Sequence, residues 1–189
     1  ELLIDLAQAA IANKNADFTN WADLGTGSGA IALGLARIFP NAVIHAVDCS
    51  EIALAIARQN AQTLGLTERI SFYQGRWLEP LAHLAGQLDG IVSNPPYIPS
   101  EMVLTLQPEV VQHEPHSAMD GGEDGLVAIR EIADRASKYL RSGGVLLLEM
   151  MMGQADAVAE LLSAHCDYCE IQIHSDLAGI QRFAQAYRL

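Results

Sequence analysis

The 189-residue chain is half apolar, carries few aromatic residues and has a formal net charge of −12, which is enough length and apolar side chain for one substantial core and excludes wholesale disorder. Charge of that sign repels a phosphate backbone over most of the surface, so broad nucleic-acid binding is not expected. Three cysteines, Cys49, Cys166 and Cys169, are too few for a disulfide framework and suit a reducing, cytoplasmic compartment.

Leu2, Leu3, Leu6, Ala9, Ala10 and Ile11 trace the apolar face of a first helix that ends near Asn13 to Asn15. Trp21 to Leu24 reads as a short strand, followed by a Gly-rich turn and a nearly all-apolar helix from Ala30 to Phe39, which a core must cover on every side. Pro40-Asn41 breaks that helix, Val43 to Val47 forms a second strand, and Ser50 caps a third helix running to about Leu64, with Gly65 as its stop. Ile70 to Tyr73 and Leu88 to Ser93 are two more strands. Strands alternating with helices in this way predict an α/β fold with a parallel sheet and right-handed crossovers.

From Asn94 to Asp124 there is no clear period. Five prolines predict a long loop, which holds Glu101, Glu109, Glu114, Asp120, Glu123 and Asp124 with no lysine or arginine. A helix from about Leu126 to Leu140, Gly143-Gly144, a buried strand Val145 to Glu149 and a helix from Gly153 to Ala164 follow. Glu170 to His174 and Arg182 to Tyr187 alternate loosely, as an antiparallel hairpin on one sheet edge would. Residues 1–189 read as a single domain, with neither a bilayer-spanning apolar run nor a signal segment. The Cys166-Asp167-Tyr168-Cys169 spacing suits a redox pair or half a zinc site, but no second pair completes a tetrahedral set, and no metal is expected. Glu1 starts inside the first helix without a Met, and the chain is expected to be a piece of a longer protein.

Asp23-Leu24-Gly25-Thr26-Gly27-Ser28-Gly29 lies where a strand feeds a helix. Its glycines allow positive φ and a close ligand approach, and the helix start offers free N–H groups. Asp48, about twenty residues on, ends the second strand, where a carboxylate accepts hydrogen bonds from the vicinal hydroxyls of a ribose. Turn and acid together leave both a nicotinamide and an S-adenosylmethionine cofactor open, since Ala30 stands where a dinucleotide fingerprint tolerates alanine. Asn94-Pro95-Pro96-Tyr97 follows the fourth strand. Two prolines fix φ twice and remove two donors, leaving a rigid shelf of carbonyl acceptors. His113 and His116 are loop histidines without an evident acid–base partner.

Asp23 to Gly29, Ala46-Val47-Asp48, Asn94 to Tyr97, Glu114-Pro115, Asp120 to Leu126 and Asp176 to Gly179 together resemble the glutamine N5-methyltransferases that modify peptide-chain release factors. The likeness covers nearly the whole chain. It implies a Rossmann-like class I fold, with a mostly parallel seven-stranded sheet, helices on both faces and a C-terminal antiparallel hairpin. It also implies S-adenosylmethionine as cofactor, a release factor as protein partner, and transfer of a methyl group to the side-chain amide of a glutamine. Asp23, Gly25, Thr26, Gly27, Ser28, Gly29, Asp48 and Asn94 would then line the cofactor site, with Trp77 near the adenine. Asn94, Pro95, Pro96 and Tyr97 would hold the acceptor amide. Arg76 stands where many members carry an acid beside that tryptophan. The family's N-terminal helical domain, which helps to bind the release factor, is not within these residues. Enzymes that methylate the amino groups of adenine or guanine share the Asn-Pro-Pro-Tyr loop, and a nucleic-acid amino group stays the alternative acceptor.

Overall fold

Strands buried on both faces read as unbroken apolar runs, and the centre of this sheet is built from such strands. The computed structural model describes residues 2–14, 18–103, 105 and 118–189. Helix α1 spans Leu2–Lys14 and leads to β1 (Asn20–Leu24), α2 (Ala30–Ile38), β2 (Val43–Asp48), α3 (Glu51–Thr63), β3 (Ile70–Gln74) and β4 (Leu88–Ser93). A four-residue helix α4 (Ser100–Val103) precedes α5 (Val127–Tyr139), β5 (Leu140–Glu149), α6 (Ala155–Ala164), β6 (Tyr168–Ser175) and β7 (Gln181–Arg188). The seven strands form one sheet in the order β3-β2-β1-β4-β5-β7-β6, parallel through β5, with β7 antiparallel to both its neighbours.

Two buried layers sandwich this sheet. On one face α1, α2 and Ala61 of α3 cover Trp21, Ile44, Val92, Val145 and Leu147. On the other, Ile129, Ile132 and Ala136 of α5 and Val158 and Leu162 of α6 cover Leu24, Val47, Ile91, Leu146 and Leu148. Odd and even residues of each strand thus serve opposite layers, as a period of two requires.

Three elements depart from the pattern read in the sequence. β5 begins at Leu140, directly from α5, and pairs Leu140 with Leu88 before the register shifts. Gly144 does not end a turn there; it lies so close to the carbonyls of Leu88, Asp89 and Arg141 that a Cβ would stand 3.0–3.1 Å from them. The stretch expected as a loop from Asn94 to Asp124 contains α4, started by Pro99, whose carbonyl accepts from Met102 and Val103. It also contains a parallel bridge between Ile98 and Asp120. Glu109, His113, Glu114 and His116 lie outside the described residues. Finally, β7 is interior to the sheet and buried from Phe183 to Tyr187, whereas β6 alternates as the edge strand.

Asp89 ties the entry of β1 to its neighbours. Its buried carboxylate accepts from Thr19 N at 2.6 Å and Asn20 N at 2.8 Å and pairs with Arg141 of β5. Asp89→Ala should strand two backbone donors and an arginine, and lower the unfolding free energy in urea by about 2–3 kcal/mol; a loss under ~0.5 kcal/mol would refute the anchoring role.

Candidate active site

Leu24 of β1 pairs with Val47 on one side and Ser93 on the other, and Ser93 pairs with Leu148. One residue beyond that row stand Asp48, Gly25, Asn94 and Glu149, at the carboxyl edge where open parallel sheets bind their ligands. With strands about 4.8 Å apart, the four span roughly 15 Å.

The Gly-rich turn is sewn to β2. Gly25 N and Thr26 N donate to Val47 O at 2.8 and 2.9 Å. Gly27 N donates to Asp48 Oδ2 and Ser50 N to Asp48 Oδ1, each at 2.8 Å. Each oxygen of Asp48 keeps acceptor capacity for a donor from outside, which suits two adjacent hydroxyls. Gly27 has φ +56°, and a Cβ built on it meets nothing within 4 Å, so the space above the turn is open. Gly29 caps α2 in the left-handed region, and the helix presents its positive end to that space.

Asp23 is fully buried beneath the turn. Its Oδ2 accepts from Thr26 Oγ1 at 2.6 Å and Ala32 N at 2.9 Å, while Oδ1 has no hydrogen-bond partner. Burial pushes the carboxyl up to about 6, against the pull of those two hydrogen bonds. An orphaned acceptor beside an open cradle fits a ligand that brings a cation or a strong donor.

Trp77 has a left-handed φ of 49°. Its ring lies where a Cβ on Gly25 would come within 3.3 Å, and its Nε1 donates to Glu131 Oε2 at 2.8 Å. Arg76 forks onto the same Glu131 carboxylate, with contacts of 2.6–2.9 Å. An arginine there therefore recruits a carboxylate from α5.

The shelf is pinned at its far end. Ser93 Oγ donates to Leu24 O at 2.6 Å; Asn94 is exposed, Pro95 buried, and Pro96 and Tyr97 half-buried. Tyr97 OH donates to Glu149 Oε1 at 3.2 Å. Burial raises the Glu149 carboxyl above its ordinary range, with the Tyr97 hydrogen bond and Arg182 pulling the other way. The Tyr97 carbonyl accepts from Gln154 Nε2 at 3.0 Å. Ile98 N donates to Met119 O and Gly121 N to Ile98 O.

Two acids of the acidic stretch serve the backbone. Asp120 Oδ1 accepts from Ser100 Oγ at 2.7 Å and Gly122 N at 2.9 Å. Asp124 Oδ1 accepts from Leu126 N at 3.0 Å, and Arg130 beside it holds its carboxyl below the usual range. Glu101 and Glu123 are exposed.

The turn, Asp48, Trp77 and the shelf thus converge on one edge, together with Glu131, Glu149 and Gln154, which the sequence reading missed. Only Glu149 carried a signal, as the carboxylate that ends a buried strand. Among the described residues there is no group of three or more His, Cys, Asp or Glu able to hold a metal, and no helix long and apolar enough to cross a membrane.

A 3-2-1-4-5-7-6 sheet with a glycine-rich turn after its first strand and an acid at the end of its second defines a class I S-adenosylmethionine-dependent methyltransferase domain. The chain belongs to the family whose model is described as a methyltransferase domain, which matches residues 16–186. It is 57% identical to the release factor glutamine methyltransferase of Synechocystis sp., across 100% of this chain and 64% of that protein. The protein of the same name from Thermosynechococcus vestitus is 54% identical, over 88% of this chain and 57% of its own length. The chain therefore spans about three-fifths of these relatives. Among solved structures, a putative rRNA-methylase from Clostridium thermocellum superposes with a TM-score of 0.69 at 16% identity, over 97% of each chain. TrmN from Thermus thermophilus gives 0.65 at 22% identity, over 98% of this chain and 49% of its own; at such identities the likeness speaks for the fold alone.

Asp23 yields a stability prediction. The unfolded carboxyl loses its proton near 3.8 and the folded one near 6, so between those values the folded state binds more protons and stability falls as pH rises. The deficit levels off above pH 6 at about 3 kcal/mol. Asp23→Asn keeps an acceptor for Thr26 and Ala32 without the charge. The unfolding free energy of the wild type, measured relative to the variant, should therefore drop by about 2 kcal/mol between pH 4 and 6.5, and parallel urea curves at the two pH values would contradict the assignment.

Proposed function

We propose that this chain is the catalytic part of a release factor glutamine methyltransferase, acting as a single cytoplasmic domain on the side-chain amide nitrogen of a glutamine. The observation that carries the reading is the 57% identity, over the whole chain, to a protein bearing that name. The geometry supports the chemistry: a rigid acceptor shelf stands one residue beyond β4, level with Gly25 and Asp48.

Asp48 would hold the ribose hydroxyls of S-adenosylmethionine, Gly25 to Gly29 would accommodate its methionine part against the start of α2, and Trp77 would flank the adenine. The orphaned Oδ1 of Asp23 would receive the ammonium group, directly or through water. When bound, the cofactor supplies an electrophilic methyl on a sulfonium.

An amide nitrogen is a weak nucleophile because its lone pair is delocalised into the carbonyl. Asn94 Oδ1 and the Pro95 carbonyl would accept hydrogen bonds from its two N–H groups, aim the nitrogen and stabilise the positive charge that grows on it, the reverse of an oxyanion hole, and the methylated nitrogen would then release one proton to water. Tyr97 would pack on the amide plane. No strong base is needed before transfer, so orientation supplies much of the acceleration. Asn94 belongs to both halves of the site, at the junction of cofactor and acceptor.

The enzyme should transfer label from S-adenosylmethionine to a release factor and not to total RNA; labelled RNA with an untouched release factor would replace this reading with the nucleic-acid alternative. Asn94→Ala should abolish transfer and leave S-adenosylhomocysteine binding intact. Because an ammonium partner favours ionised Asp23, cofactor affinity should fall about tenfold per pH unit below pH 6, and Asp23→Asn should flatten that dependence in calorimetry.

A further inference from the structure

Gln154 begins α6, yet its side chain makes no cap to that helix. The residue is 6% exposed, and three of the hydrogen-bonding positions of its amide are directed to three separate segments. Nε2 donates to Tyr97 O at 3.0 Å and to Asp124 O at 3.3 Å, and Oε1 accepts from Met151 N at 2.9 Å. One planar group thereby joins the end of the acceptor shelf, the glycine-rich acidic segment and the turn that leaves β5.

Gly125 closes the other side of this junction. It has φ +75°, and a Cβ there would lie 2.3 Å from Tyr97 O and 2.6 Å from Gln154 Nε2. A side chain at this position would push apart the groups that Gln154 holds together. The glycine is required by close approach as well as by its backbone angle.

We propose that Gln154 is a positioning residue for methyl transfer, setting the height and tilt of the Asn94–Tyr97 shelf through the Tyr97 carbonyl, with Gly125 as the space that admits the contact. This rests on the function proposed above. Two prolines make the shelf stiff within itself but do not fix it to the sheet. That is done at its start by β4 and at its end by Gln154, the Tyr97–Glu149 hydrogen bond and the Ile98 bridge. A small displacement of a positioned acceptor costs rate steeply, while the main part of the cofactor cradle, Gly25 to Gly29 and Asp48 on β1 and β2, is untouched.

The test compares wild type with Gln154→Leu, Gln154→Glu and Gly125→Ala in the full-length enzyme. Gln154→Glu keeps the acceptor for Met151 N but turns a carboxylate oxygen toward two carbonyls. Each variant should lose at least 30-fold in kcat, while S-adenosylhomocysteine affinity by calorimetry stays within threefold. Amide hydrogen exchange at Ile98 and Gly121 should accelerate in each, and combining Gln154→Leu with Gly125→Ala should cost far less than the product of the single losses, as expected for one shared contact. Any of three results overturns the proposal: a Gln154→Leu kcat within threefold of wild type, a parallel loss of cofactor affinity, or unchanged exchange at both amides. If the wild type transfers no label to a release factor, the substrate reading has failed, and exchange together with cofactor affinity still decides whether Gln154 fixes the shelf.

Discussion

The alignment of β1 between β2 and β4 is the constraint on which the rest of the site hangs. Hydrogen-bonded partners in a parallel sheet lie level, so the chain must leave all three strands at the same height once Leu24 faces both Val47 and Ser93. The glycine turn, Asp48 and the shelf are then brought adjacent by the pairing itself. Shifting any one strand by a residue would send its side chains into the wrong core layers and lift its last residue out of the row at once. Core packing and site geometry are therefore enforced by the same pairing.

Against that frame, local pattern and long-range contact were unequally legible in the sequence. The strands around Leu24, Val47 and Ser93 announce themselves because buried parallel strands are continuous apolar runs, and Asp23 to Gly29, Asp48 and Asn94 to Tyr97 are contiguous motifs whose chemistry can be argued residue by residue. What stayed hidden is pairing between distant segments. Glu131 sits on a helix whose sequence gives no hint of Arg76 and Trp77, and Gln154 meets a carbonyl 57 residues away. The early start of β5 was hidden for a related reason: Gly143-Gly144 reads as a turn locally, and only the close approach of the β4 carbonyls explains a glycine inside a strand.

Counted along the sequence, the acidic stretch is a block of like charge poised to attract a basic partner. In the fold, Asp120 and Asp124 are committed to Ser100, Leu126 and Arg130 and shape the segment that holds Ile98. Exposed Glu101 and Glu123 are the acids of the described stretch that can act at a distance. Charge here is first a means of bending backbone, and only then a field.

The placement of β7 bears on how the molecule comes into being. Because this strand lies between β5 and β6 and is buried along most of its length, the strand beside Glu149 is missing until β7 itself has been made. A nascent chain that has already made the glycine cradle and the shelf still exposes an open β5 edge, with its unpaired amides. The sheet is thus closed only once the hairpin has been made, and a chain broken within the hairpin would be aggregation-prone.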